Sequence, residues 1–510
     1  MTENPPQAIP IESHSQKLAP LSFAQESLWF LQQLDPGNNA YNSNYHLRFS
    51  GGIDHPTLEK ALNEIVQRHE SLRTFYPNKE GKPVQVVQEY KPFTLPFVDF
   101  SHLGEEERQK SIHKYIVDHG DKPFDLLNGP LNRCAFIRLS KDESLLFFST
   151  HHINSDAWSR QVFVNQLMIL YHAFRNGEPA NLPPLPIQYT DYALWQREWL
   201  KGDILKAFVD HWKKNLSGDL PILDLPTDRP RPILQTFHGN RYRFPLAQPL
   251  VSQIKAFCQS ERITFFHFLM AAYFLLLMRH TGQEDIIMGC PFANRPSPEL
   301  ENMVGLFVNT LPIRLNLESN PTVRKLVNQV RDTMADAFTW QAVPFEAIVS
   351  EISPERDLSR TPVFQVAINL RNIPNQPAIP SRGIEAKYFL REDAPAPFDL
   401  SLEFDEEAGA FMASFQYNAD LFDEQTIIQL TAHYQHILRD FLSKPDAPIS
   451  EIEMLTPSEI NKTLYEWNDN KADFPQVCVQ ELFSDLAKQT PESIHARPRF
   501  IRAEPIPLPR

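Results

Sequence analysis

Cysteine is scarce in this chain of 510 residues, which carries Cys134, Cys258, Cys290 and Cys478 and no others. They stand far apart and form no CxxC pair, which speaks against a disulfide framework or a zinc ribbon and for reduced thiols in a cytoplasm. An excess of positive charge is missing as well. The net charge is −14, whereas a protein devoted to nucleic acid would show a basic face. That balance still leaves room for a local basic patch that docks an acidic carrier. Residues 1–17 (MTENPPQAIPIESHSQK) are polar and proline-bearing and lack the apolar core of a secretory signal. No run is long enough to span a membrane. The most apolar stretch, Ile263 to Met278, falls short of the roughly 20 residues a span needs and contains Thr264 and His267, so it reads as a helix buried in a large soluble core. No HExxH motif, Cys/His cluster or internal repeat is visible, and no metal is expected.

What is present is the texture of a globular protein, with 42% hydrophobic and 22% charged residues. The length allows two or three domains. Ala24, Leu28, Leu31 and Leu34 recur at helical spacing. Asp54-His-Pro56 reads as a helix start, followed by one apolar stripe of Leu58, Ala61, Leu62, Ile65 and Val66. Residues 144–150 (SLLFFST) have strand length and lead at once into polar HHINSD. A proline-rich stretch, Asn181 to Ile187, marks a lobe boundary, and LPTDRPRP at 225–232 reads as an extended surface segment. An apolar strand, Ile286 to Cys290, follows the long helix, and helical periodicity returns around 322–338 and 423–441. These patterns predict an α/β protein of two lobes. After about Thr456 the texture becomes that of a linker with one short helix. The last stretch, ARPRFIRAEPIPLPR, is rich in Arg and Pro, has no periodicity, and is set apart from the fold as a vector-derived tail.

The chemistry points to the end of strand 144–150. Successive side chains of an extended chain face opposite ways, so of His151 and His152 only one can enter a given cleft. That disfavours a shared metal and suits a single imidazole, with Asp156 four residues on to fix the loop. An imidazole exchanges protons near neutral pH. Two histidines at a strand end serve equally well as hydrogen-bonded structural groups, and Asn294-Arg295 and Asn309-Thr310 equally well as turn and capping chemistry. The residues alone leave both readings open.

Taken in order, several segments resemble the motifs of the condensation domains of nonribosomal peptide synthetases. They are Ser22-Phe-Ala-Gln-Glu-Ser-Leu-Trp29-Phe-Leu31, Arg68-His-Glu-Ser-Leu-Arg73-Thr-Phe, His151 to Ser159 (similar to HHxxxDG), and Tyr189-Thr-Asp-Tyr-Ala-Leu-Trp195. Val304-Gly-Leu-Phe-Val-Asn309-Thr-Leu-Pro-Ile-Arg314, Val343-Pro-Phe-Glu346 and Arg356-Asp-Leu-Ser-Arg360-Thr-Pro-Val-Phe-Gln365-Val complete the set. Seven motifs in sequence are a specific signal, and the resemblance covers roughly residues 19–455. It implies two chloramphenicol-acetyltransferase-like lobes forming a V-shaped pseudodimer with a central channel. It further implies an acyltransferase of antibiotic or toxin biosynthesis that joins a donor acyl or peptidyl thioester to an acceptor aminoacyl thioester. Both would arrive on the 4'-phosphopantetheine arms of donor and acceptor peptidyl carrier proteins, with no cofactor bound by the domain itself. A cytoplasmic monomer followed by an adenylation domain is expected.

Texture and resemblance together give these domains: a flexible N-terminal segment at 1–18, an N-lobe at 19–180, a C-lobe at 181–455, a linker and the start of a truncated adenylation domain at 456–495, and the tail at 496–510. It makes His152 the catalytic histidine, either deprotonating the attacking amine or orienting it and stabilising the tetrahedral intermediate. His151 is then structural, Asp156 and Arg295 form a structural ion pair, and Asn309 positions substrate from the opposing lobe. One position departs from the motif: its glycine is here Ala157, a residue tolerated if its φ is negative, and one that narrows the thioester path or marks altered chemistry. Three other functions are possible. The FVNTLPIR and VPFE segments and the adenylation-like start speak against an epimerisation-type domain of the same fold. Condensation of a modified residue is a second alternative, and the intact histidine pair speaks against the third, a silent carrier-docking module.

Overall fold

The computed structural model describes residues 12–13, 17–352, 357–371, 383–389, 391, 393, 395–407, 410–470 and 476–490. Most of the N-terminal segment 1–18, Arg356 of the last motif and the tail 496–510 lie outside the described residues. The chain forms one compact unit to Met454 and a second from Leu455.

The first sheet is built around strand Glu143–His151, the expected apolar strand lengthened by a residue at each end. It pairs with Asn132–Arg138 on one side, and with Leu47–Ser50 and Asn42–Asn44 on the other. Alternation sorts its side chains. Leu146 and Phe148 pack with Leu58, Leu62 and Ile65 of helix His55–Arg68 and with Phe163 and Leu167 of helix Ala157–Asn176. Leu145 and Phe147 pack on Ile112 and Ile116 of helix Glu105–Gly120. Helix His55–Arg68 starts as its sequence predicts, with the Asp54 side chain accepting from the Thr57 N–H and proline in the first turn.

The second sheet has the order Gly239–Leu246, Ala410–Asn418, Leu400–Glu407, Val366–Leu370, Asp285–Phe292, Asn309–Asn316. Behind it runs helix Phe265–Thr281, in which every residue from Phe268 to Leu277 is buried. Among the described residues no single helix is long and apolar enough to cross a membrane. The two halves of the chain are not cleanly separated between the sheets. Strand Glu385–Tyr388, from the second half, pairs with Leu47–Ser50 and so extends the first sheet. It comes so close that a Cβ on Gly51, where φ is +104°, would lie 1.8 Å from the Gly383 carbonyl oxygen.

Two sequence expectations change. Helix Phe23–Leu34 exists, but its stripe of Leu31 and Leu34 is exposed and its buried residues are Gln25 and Gln32. Hydrogen bonding outweighs hydrophobicity there, because the Gln25 amide donates to Tyr76 Oη at 2.8 Å and to Gln85 Oε1 at 3.2 Å inside the fold. Segment 225–232 is irregular as expected but is not merely a surface strip. Arg231 reaches inward to the buried Asp399 carboxylate, with Nη1–Oδ1 at 3.0 Å and Nη2–Oδ2 at 2.5 Å. In the second unit, helix Val479–Gln489 leaves Val479, Phe483 and Leu486 exposed.

Candidate active site

Strand Glu143–His151 ends in a short 3₁₀ turn, His152–Asn154, and then in helix Ala157–Asn176. This change of backbone separates the two histidines. His151 is fully buried, and its Nδ1 accepts the Ile153 N–H at 3.1 Å. Burial, with the neighbouring His152 ring, pushes the His151 imidazole down to about 3, so it is neutral at physiological pH. His152 is half-buried, and its backbone N–H donates to the Tyr41 carbonyl at 2.8 Å. Of its two ring nitrogens, only Nδ1 is enclosed without a partner in the protein.

His152 lines a cavity of about 270 Å³, together with Ala157 and Arg160 from the same half of the chain and Val308, Asn369 and Arg371 from the other. At its edge Arg371 and Arg241 share the Glu403 carboxylate at 2.6 and 3.1 Å. Burial pushes Glu403 up, but the two guanidinium groups outweigh it and bring it down to about 2. A larger cavity of about 480 Å³, lined by Arg73, Tyr90, Lys91 and Asn132, contains none of the histidine-motif residues.

Asp156 caps helix Ala157–Asn176 through the Ser159 N–H at 2.7 Å and is almost wholly buried. Its Oδ1 also accepts from Arg295 Nη2 at 3.1 Å, with the two side chains only 1% and 2% exposed. Its Oδ2 accepts the N–H groups of Phe307 at 3.0 Å and Val308 at 3.3 Å. Burial alone would push the carboxyl up, but Arg295 and the donors from Ser159 and Phe307 hold it below its ordinary value. Arg295 also donates to Ser159 Oγ at 2.9 Å, to the Met303 carbonyl at 2.8 Å and to the Leu300 carbonyl, and lies 4.0 Å from the Phe307 ring centroid.

Asp156 is thus the centre of a seam that stitches segment 300–308 to the first half of the chain. Ser159 Oγ donates to the Gly305 carbonyl at 2.8 Å, and Ser71 Oγ to that of Val304 at 2.7 Å. His69 Nδ1 accepts the Val304 N–H at 3.3 Å while its Nε2 bonds Gln166 Oε1 at 2.8 Å, so the ring proton sits on Nε2. Burial pushes His69 down to about 4. Gly305 has no room for a side chain, because a Cβ would stand 2.1 Å from the Tyr189 ring.

The predicted site residues therefore part company. His152 and Ala157 face the cavity, while Asp156 and Arg295 are joined in the seam. Ala157 is the first residue of a helix, with negative φ, so this backbone does not require glycine. Asn309 has both ends of its amide engaged by the loop that follows helix Val323–Thr339. Its Nδ2 donates to the Gln341 and Val343 carbonyls at 2.9 and 2.5 Å, and its Oδ1 accepts the Phe345 N–H at 3.3 Å. Sequence reasoning missed His69, Ser71, Ser159 and Gln166 as seam residues and Arg160, Arg371 and Glu403 as cavity residues. His69 and Ser71 stand within a quoted motif, and Ser159 closes another, which was the available signal.

The chain matches the family model described as the condensation domain over residues 15–464. Over 488 residues it is 37% identical to part of the linear gramicidin synthase of Brevibacillus parabrevis, a match that takes in 95% of this chain but only 6% of that polypeptide. A solved four-domain nonribosomal peptide synthetase, bound to AMP and glycine, superposes with a TM-score of 0.81 at 21% identity, covering 95% of this chain and 37% of that one. The X-domain from teicoplanin biosynthesis superposes with a TM-score of 0.77 at 25% identity, covering 88% and 100%. The chain belongs to the condensation-domain family of nonribosomal peptide synthetases and has its mixed α/β fold, two lobes with separate sheets.

Two outcomes follow from the seam. Asp156→Ala leaves Arg295 buried without its counter-charge, and the expected cost is about 3–5 kcal/mol. Urea unfolding checks it, and a midpoint equal to that of the wild type would contradict the account. The second outcome concerns pH. Folded His69 titrates near 4 and unfolded histidine near 6.5, so between these values the unfolded chain binds more protons. Its contribution is whole above about pH 6.5 and declines as pH falls toward 4. The slope of stability against pH in that window should flatten in His69→Gln, though not vanish, since buried His46 and His151 act in the same direction.

Proposed function

We propose that this condensation-family chain forms an amide bond between a donor acyl or peptidyl thioester and an acceptor aminoacyl thioester, each carried on a phosphopantetheine arm. The observation that carries the reading is the placement of His152. It is the one motif histidine that reaches the cavity lined by both halves of the chain, while its neighbour is buried behind it.

In the reaction the acceptor's amine nitrogen attacks the donor carbonyl carbon, and a tetrahedral intermediate forms. The carbon–sulfur bond then breaks, the sulfur leaves as thiolate, and the proton lost by the amine ends on that thiolate. His152 lies at the wall of the cavity to orient the amine and hold this proton in transit. Asp156 and Arg295 do not touch the reacting atoms in this reading. They fix the start of the helix that follows the histidines and the segment facing it, and so act as positioning residues. Asn309 holds the 341–345 loop against the second sheet, and any effect it has on substrate passes through that loop. Carrier proteins on the donor and acceptor sides and a following adenylation domain are the partners this function requires.

The likeness to an X-domain gives a second reading, a module that recruits other proteins and forms no bond. A solved X-domain from the same biosynthesis is in complex with OxyB. The intact pair His151-His152 and the open cavity at His152 favour catalysis here.

With donor and acceptor carriers loaded, His152→Ala should lower single-turnover amide formation by roughly 10²–10⁴-fold at an unchanged unfolding midpoint. Wild-type rates in that variant would remove His152 from the mechanism, and absence of product from the wild-type chain would favour the recruiting module. Ala157→Gly should change the rate modestly, most for bulky acyl groups, and leave the product mass alone. A product that differs in mass between the two proteins would point to chemistry beyond plain condensation.

A further inference from the structure

Among the described residues seventeen buried side-chain nitrogen and oxygen atoms find no hydrogen-bond partner in the protein, and six of them belong to one place. They are Asn42 Oδ1, Asn44 Oδ1, both ring nitrogens of His46, Ser149 Oγ and His151 Nε2. The strand register explains the grouping. Asn42 pairs with His151 and Asn44 with Ser149, and the pairing of Leu47 with Leu146 continues the same register, so that His46 lies opposite Phe147. Directly opposed residues and alternate residues share a face of a sheet. All five residues therefore project from one face, on which the His46 ring stacks over Phe147 at 5.1 Å.

Burying six polar atoms without partners would leave the desolvation of each uncompensated. Native structures avoid such costs, usually with internal water. The chemistry of the six suits that solution. His151 Nδ1 already accepts the Ile153 N–H, so its Nε2 carries the ring proton and is a donor. Asn42 donates from Nδ2 to the Gly120 and Lys122 carbonyls at 2.7 and 3.0 Å, which turns its Oδ1 into a fixed acceptor across from that donor. Asn44 adds a second acceptor, Ser149 a hydroxyl, and neutral His46 one donor and one acceptor. The stripe thus offers water both donors and acceptors. Gly120 packs closely on its edge, since a Cβ there would lie 3.2 Å from Asn44 Oδ1.

We propose that a file of internal water molecules occupies this face, bridging His151 Nε2 to Asn42 Oδ1 and running past Ser149 and Asn44 to His46. Its function is to pair the His151 Nε2 proton, whose place the Ile153 N–H already fixes, and to fasten the strand of Asn42 beneath the histidine pair. The residue before Asn42 is Tyr41, whose carbonyl holds the His152 N–H, so both histidines are tied to one hydrated strand. Asn42 and Ser149 are then positioning residues that act through water. The inference is independent of the reaction assigned to His152.

A high-resolution crystal structure of the chain, with ¹⁵N NMR of its histidine rings at neutral pH, tests it. The expected result is ordered water within hydrogen-bond distance of both Asn42 Oδ1 and His151 Nε2, with His151 showing a single Nε2-protonated form. In Asn42→Leu the bridging water should be lost and exchange of the His151 ring proton should speed, while the Nδ1 bond to Ile153 keeps the tautomer. In Gly120→Ala the water beside Asn44 should be lost while the fold stays intact. If Asn42→Leu does not fold, Ser149→Ala takes its place and should remove one water and speed exchange of the His151 ring proton. A dry stripe, a direct His151–Asn42 bond, or a His151 signal indifferent to these changes would overturn the proposal.

Discussion

The structure depends on one buried ion pair, Asp156 with Arg295. Removing a carboxylate and a guanidinium from water costs several kcal/mol per ion, and attraction offsets that only when the other lone pairs and protons are satisfied. Here they nearly all are. The two Asp156 oxygens accept from Arg295, from the Ser159 N–H that begins a helix, and from two backbone N–H groups of the opposite segment. Arg295 in turn holds the Leu300 and Met303 carbonyls. A single carboxylate thus sets three things at once: where the helix after the histidines starts, where segment 300–308 lies, and how the two halves of the chain meet. The cavity that holds His152 is bounded by those same elements.

The histidine motif shows how one short sequence divides its labour. A strand that ends in a tight turn cannot present both rings to one space. His152 is left at the cavity, and His151 is turned into a polar stripe on the sheet face that carries Phe147. The neutral state of His151 follows from burial, and its orientation follows from the Ile153 N–H that it accepts. The two rings are therefore placed in different surroundings by backbone geometry alone.

Much of this was legible in the residues. The strand at 144–150, the capped start at Asp54, and the apolar helix after Ile263 carry strong local signals, and each appears in the fold within a few residues. The link between Asp156 and Arg295 came from resemblance alone, since nothing local relates positions 139 residues apart. What stayed hidden has a common cause. The partners of Ser71 and Asn309, and some of those of Ser159 and Gln166, are backbone carbonyls and N–H groups, and those are the same for every residue type. Helix Phe23–Leu34 was misread for a related reason: its apolar periodicity is real, but Gln25 is buried by hydrogen bonds that no hydropathy pattern reports. The crossing of strand Glu385–Tyr388 into the first sheet is likewise a pairing of backbone edges.

The central claim is that Asp156 and Arg295 act as one unit that holds the seam, and so His152, in place. A double-mutant cycle of Asp156→Asn and Arg295→Met, read by urea unfolding and by single-turnover product formation, tests it most directly. The account predicts that the double variant loses less than the sum of the two singles, with a coupling energy of about 2–3 kcal/mol in stability and a matching non-additivity in rate. Losses that simply add, in either measurement, would contradict it.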